Sequence, residues 1–211
     1  MIRSLRSVSA LILVLASVAC AYASQPAATV ASPVRVAETK AALRDLWLGH
    51  ILGIRNVAVA TMDKNTAARE AAEKGVVANA EQIARSIEPF YGKPASEKLF
   101  ALLAGHYGAI RDDLDATVAG NSVQQEAAIN TLTANAGEIS TFLSGANPYL
   151  PKDAVMGLLT AHAAHHIQQF QQLKGGEYAQ EADTWQGMKR HIYVVADTLT
   201  GALAQQFPNK F

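Results

Sequence analysis

From Ala37 onward, apolar residues recur at steps of three and four, as in Leu43, Leu46, Trp47, Ile51, Ile54 and Ala58. That spacing collects them on one face of an α-helix, whereas a half-buried strand needs a period of two that no stretch sustains. The pattern returns in Leu99, Leu102, Leu103, Ile110 and Leu114, and again in Val155, Leu158, Leu159 and Phe170. Gly, Asn and Pro interrupt it at 62–65, 90–94, 119–121, 146–151 and 174–176, where they act as helix stops and turn formers. The pattern predicts an all-α chain of six helices, at about 37–63, 66–89, 95–118, 122–145, 152–173 and 178–206.

A shift of 56 residues superposes the chain on itself. It carries Leu46, Gly49, His50, Ile54 and Arg55 onto Leu102, Gly105, His106, Ile110 and Arg111, and His106 onto His162. It also carries Asn65 onto Asn121, Glu70 onto Glu126, and Asn79 onto Asn135, whose counterpart in the third copy is His191. Such self-similarity predicts an up-and-down bundle of three helical hairpins, roughly 37–91, 92–147 and 148–204.

The repeat also predicts where the polar residues meet. His50/Asn79, His106/Asn135 and His162/His191 are each 29 residues apart, with midpoints at 64.5, 120.5 and 176.5, in or beside a predicted turn. Both members of each pair therefore stand at one height, and all six positions share a cross-section near mid-helix. His50, His106 and His162 fall within the apolar stripes, so they face the core and need partners for their ring nitrogens.

Two readings satisfy that need. Each His can bond the Asn of its own hairpin, making a layer that only fixes helix register. Alternatively the layer holds a metal. His162 and His166 lie one turn apart on one helix face, with His191 at the same height on the next helix and His165 as an alternate. His50 or His106 can supply a fourth ligand if the hairpins close around a common axis. Imidazole donors without thiolates suit zinc, copper or nickel. Non-covalent haem ranks below a bare ion, because aromatic residues are only 7% of the chain.

Composition narrows the setting. Half of the residues are hydrophobic and 18 basic side chains balance 18 acidic ones, which suits a globular domain and offers no basic surface for nucleic acid. Arg3 and Arg6 precede an apolar run over 10–16, and Ala21 and Ala23 stand where a signal peptidase reads small residues. Residues 1–23 therefore read as a secretory signal and 24–36, with two prolines, as a flexible tether before the helical domain at 37–211. The apolar run is too short to span a bilayer, so the expectation is a periplasmic or secreted protein with no transmembrane segment. Cys20, the only cysteine, lies inside the signal, which leaves the mature chain without disulfides or thiolate ligands. A loose lipoprotein box at 17–20 makes lipid anchoring through Cys20 the alternative.

Catalytic signatures are missing. There is no Glu-x-x-His pair of the di-iron kind, no His-Glu-x-x-His, no Gly-x-Ser-x-Gly and no P-loop. Asp113-Leu114-Asp115 falls on a predicted helix and reads as a solvated face, and Arg55 and Arg111 read as surface ion pairs. With no carboxylate expected in the polar layer, any acid or base would have to be histidine itself, and the balance leans away from an enzyme.

These residues together resemble a loosely defined group of secreted bacterial all-helical proteins. The resemblance rests on Leu46-Trp47 with His50 and Arg55, Leu102-Leu103 with His106, and Ala134-Asn135-Ala136 with Glu138. It extends through Asn147-Pro148-Tyr149 and His162 to His191 with Ala196-Asp197-Thr198-Leu199, covering nearly the whole mature chain. No activity comes with it. It implies that His50, His106, His162 and His191 form a shared pattern, while His165 and His166 are particular to this sequence. The expected function is binding of a transition metal or small ligand through core histidines, for sequestration or sensing. A structural or protein-interaction module is the alternative.

Overall fold

The structure, a computed structural model, describes residues 30–211. The signal, Cys20 and the first part of the tether lie outside the described residues. Six long helices and one single turn follow in order: α1 (Pro33–Met62), α2 (Thr66–Ser86), α3 (Glu88–Tyr91), α4 (Lys93–Ala119), α5 (Ser122–Ala146), α6 (Lys152–Gly175) and α7 (Tyr178–Gln206). A 3₁₀ turn, Pro208–Lys210, closes the chain, and no strand occurs among the described residues.

The helix ends follow local chemistry. Asn65 and Asn121, matched by the 56-residue shift, both act as N-caps, their side chains accepting from the N–H of Ala68 (3.0 Å) and Gln124 (3.1 Å). Gly120 and Gly176 close α4 and α6 in the left-handed region at φ 70°, where a Cβ would be strained. Two boundaries differ from expectation, both because of proline. Pro33 starts α1 in its first turn with Ser32 as N-cap, so 33–36 is helical and not tether; proline suits that position because its missing N–H has no helical partner there. Pro89 ends the second helix early, and α2 stops at Ser86 with 88–91 forming the separate turn α3.

The first two helices pack antiparallel. Gly49 of α1 lies against Asn79 of α2 and Gly53 against Val76, so rising numbers on one helix meet falling numbers on the other. The long helices close into a ring in the order α1, α2, α4, α5, α6, α7, with α7 returning to α1. Inside the ring, α1, α4 and α6 also touch one another. These three helices carry His50, His106 and His162, so the closed arrangement gathers at the axis what a linear stack of hairpins would separate.

The core divides at the histidines. On one side lie Leu43, Trp47, Ile51, Leu99, Leu103, Ile192 and Val195, and on the other Ile54, Val57, Ile110, Leu114, Leu132 and Phe170. Each large apolar side chain removed from water contributes roughly 1.5–3 kcal/mol. Burial on both sides of the polar layer stabilises the bundle that carries it.

Candidate metal centre

The inner helices aim their histidines inward because each imidazole occupies a position of the apolar stripe. His50, His106, His162 and His166 are 5%, 3%, 2% and 0% exposed, which places four imidazoles in the deepest part of the molecule. His162 is the hub. Its ring centroid lies 4.6 Å from that of His166, 5.6 Å from His50, 6.0 Å from His106 and 6.5 Å from His191. In His50, His162 and His166, one ring nitrogen each can be chosen so that all three lie within 4.8 Å of one another.

Hydrogen bonding separates these residues into two kinds. His106 Nδ1 is 3.1 Å from Asn135 Oδ1, and Asn135 Nδ2 donates in turn to Leu102 O at 3.1 Å. With its amide group donating to that carbonyl, Asn135 offers an acceptor to the ring, so His106 carries its proton on Nδ1 and keeps a lone pair on Nε2. Both ring nitrogens of His162, both of His166, and Nδ1 of His50 are buried without any hydrogen-bond partner. A buried unsatisfied polar group costs about 1–3 kcal/mol. The cluster carries several, and one nitrogen from each of three rings lies within 4.8 Å of the others.

The structure brings three of the candidate ligands together and places others apart from them. His191 does not join the close cluster: its Nε2–H donates to Leu158 O at 2.9 Å, and the residue is half-buried. It repeats what Asn79 does toward Leu46 O (3.0 Å) and Asn135 toward Leu102 O, each bond joining residues 33 apart. His191 thus ties α7 to α6, although its type suggested a ligand. His165 likewise turns aside, its Nδ1 bonding Ala161 O at 2.7 Å. His166, the residue that the resemblance set apart, is the one brought into the cluster. The self-paired arrangement is present at His106 only, because the Asn79 Oδ1 that should serve His50 is itself without a partner.

Burial keeps the cluster neutral. Desolvation lowers His50 to about 3, with His106 adding to the effect. Desolvation takes His106 to about 4 against the opposing bond from Asn135. His162 and His166 are driven well below the usual histidine range by burial first and by neighbouring imidazoles second. At neutral pH each ring therefore keeps a free lone pair, the form that coordinates a metal.

Below the histidines the bundle is not filled. A cavity of about 70 Å³ runs from His50, His106 and His162 toward the end of the bundle where Ser86, Tyr91, Ala146 and Thr198 are half-buried. Its walls are Leu, Ile, Val, Phe and Trp side chains from all six long helices, and no charged residue lines it. Asn147, in the Asn-Pro-Tyr turn, braces that end: its Oδ1 accepts from Tyr149 N–H (2.8 Å) and its Nδ2 donates to Tyr91 Oη (2.9 Å). Tyr91 Oη donates to Gln206 Oε1 at 2.7 Å, tying α3 to α7.

Two polar features escaped the sequence reading. Asp113, expected on a solvated face, is 0% exposed with neither carboxylate oxygen in a well-formed hydrogen bond, and burial raises its carboxyl to about 6 against a smaller lowering by the nearby Gln125 amide. It stands on the buried face with His106 and Ile110, and Val57 and Gln169, each 56 positions away, are buried as well. Arg55 makes more than a surface pair, because it grips Glu181 through two bonds (2.7 and 2.9 Å) while Glu181 is 3% exposed. Gln169 Nε2 completes that carboxylate at 2.7 Å. Its counterpart Arg111 is exposed and meets only its neighbour Asp112.

Set against known protein families, curated proteins and solved structures, the chain matches none of them. Among the described residues, no helix is long and apolar enough to cross a membrane.

Proposed function

We propose that this chain is an exported protein that binds one transition-metal ion through His50, His162 and His166, for sequestration or sensing. The observation that carries the proposal is the convergence of three imidazoles, five of whose six ring nitrogens have no other partner. Three neutral nitrogen donors, without a thiolate and without a carboxylate in the cluster, favour zinc, copper or nickel over calcium or magnesium. Two nitrogens on a tetrahedral zinc at about 2.0–2.1 Å stand about 3.4 Å apart, a spacing compatible with donors that lie within 4.8 Å of one another.

The 56-residue repeat belongs to the same reading. We take the domain to be three hairpins in up-and-down order whose first helices converge at the axis, with the signal at 1–23 delivering it outside the cytoplasm. Bonds from Asn79, Asn135 and His191 to carbonyls 33 residues earlier support the hairpin equivalence. The alternative, a layer that only fixes register, is favoured at one position by the His106–Asn135 bond.

Thermal unfolding with and without zinc, copper or nickel tests the proposal. A metal that binds the folded state at a hundred times its Kd adds about 2.7 kcal/mol. The wild type should gain stability, and His162→Ala and His166→Ala should lose that gain. Equal responses in all three proteins, or none in the wild type, would overturn the assignment.

A further inference from the structure

Resting on that metal reading, we propose that the apolar cavity is the binding site for a small organic monoanion, a carboxylate with a hydrocarbon body, whose head group completes the metal's coordination. The argument starts from charge. Imidazole coordinates a metal in its neutral form, so a divalent ion among His50, His162 and His166 keeps its whole charge inside a region with almost no exposure to water. A buried charge is tolerated only when it is paired. None of the residues lining the cavity is an Asp or Glu, so the chain does not supply the anion there.

The shape then selects the rest of the ligand. The cavity reaches the imidazoles of His50 and His162, two of the three ligands, and therefore opens on the metal position. From His50 back to Leu43 on α1, and from His106 back to Leu99 on α4, the wall runs seven residues, or about 10 Å at 1.5 Å per residue. Leu103, Ile139, Leu159, Val195 and Leu199 line that length, and a space walled this way holds water poorly. A hydroxide or chloride would halve the metal's charge but leave the cavity unfilled. A carboxylate on a short hydrocarbon chain such as hexanoate answers both demands, its length falling within the roughly 10 Å of apolar wall.

Calorimetry on the purified mature chain tests this with zinc as the metal and hexanoate, acetate and 1-hexanol as probes. Zinc is titrated first without organic ligand; failure to bind zinc overturns the metal reading and the proposal with it. With zinc bound, hexanoate should bind at least tenfold more tightly than acetate, because its additional methylenes enter the cavity, and more tightly than 1-hexanol, which lacks the charge. By reciprocity hexanoate should raise zinc affinity by the same factor that zinc raises hexanoate affinity. Leu103→Trp, or Leu199→Trp should the first variant not fold, should keep zinc affinity and lose hexanoate. Zinc binding with no preference for hexanoate over acetate, or hexanoate binding equal with and without zinc, would overturn the anion site while leaving the metal centre standing.

Discussion

Replacing His162 by leucine separates a ligand from a structural residue. His162 is 2% exposed and neither ring nitrogen has a partner, so in the metal-free fold it is a polar group held in apolar surroundings for no return. Leucine has similar bulk, packs against Leu159 and the other cavity walls, and removes that penalty, so the metal-free variant should gain about 1–3 kcal/mol. Metal reverses the order: the wild type gains about 2.7 kcal/mol at a hundredfold excess over Kd, while the variant gains little. Chemical denaturation of both proteins, first in chelator and then in zinc, reads both differences directly. The stability curves should cross. A loss of 2 kcal/mol or more for His162→Leu in chelator would refute the reasoning, since it would mean that the imidazole is already satisfied and stabilising.

Acid should unfold the metal-free protein early. A histidine whose folded value is depressed contributes nothing above its unfolded value of about 6.5 and costs stability progressively as pH falls below it. Between pH 7.5 and 5.5 each of the four buried imidazoles should cost about 1.4 kcal/mol, and Asp113, protonating near 6, should return about 1, for a net loss of about 4.5 kcal/mol by denaturation. Asp113→Val, which installs the residue found at matched position 57, should stabilise the fold by about 2 kcal/mol at pH 8. The gain should shrink at pH 4, where the carboxyl is already neutral; equal gains at both pH values would count against a buried carboxylate. Arg55→Ala should cost about 3 kcal/mol by leaving Glu181 buried and unpaired, whereas Arg111→Ala should change melting by little, because Arg111 is exposed. Tyr91→Phe should loosen the cavity end, seen as faster amide exchange in α3 and the last turn of α7, since it removes the hydroxyl shared by Asn147 and Gln206.

Much of this arrangement was legible in the chain, because helical periodicity and a repeat are both statements about distance. Stripe positions and equal spacing about the turns place His50, His106 and His162 in one layer, and the closed packing of α1, α4 and α6 brings them together. What spacing cannot express is side-chain direction within the layer. His191 and His166 have equal credentials by residue type, yet His191 lies within reach of the Leu158 carbonyl and is consumed by it, while His166 has no such partner. The periodicity that placed His106 and Ile110 inward also applies to Asp113, and its chemical type alone suggested the surface. The cavity was invisible for another reason, since it is made of the same residues as a filled core and differs only in how far six helices approach. Proline shifted both misplaced helix ends, Pro33 by starting a helix and Pro89 by stopping one.

The account turns on whether three imidazoles share one ion. The most direct measurement is elemental analysis of the mature chain, produced without a histidine tag, followed by X-ray absorption at the edge of whichever metal is found. The account predicts about one zinc, copper or nickel per chain, with a first shell that includes three imidazole nitrogens at about 2.0–2.1 Å for zinc, and loss of both metal and shell in His162→Ala. A protein that stays free of stoichiometric metal after incubation with each ion, with His162 and His166 still unligated, would contradict it.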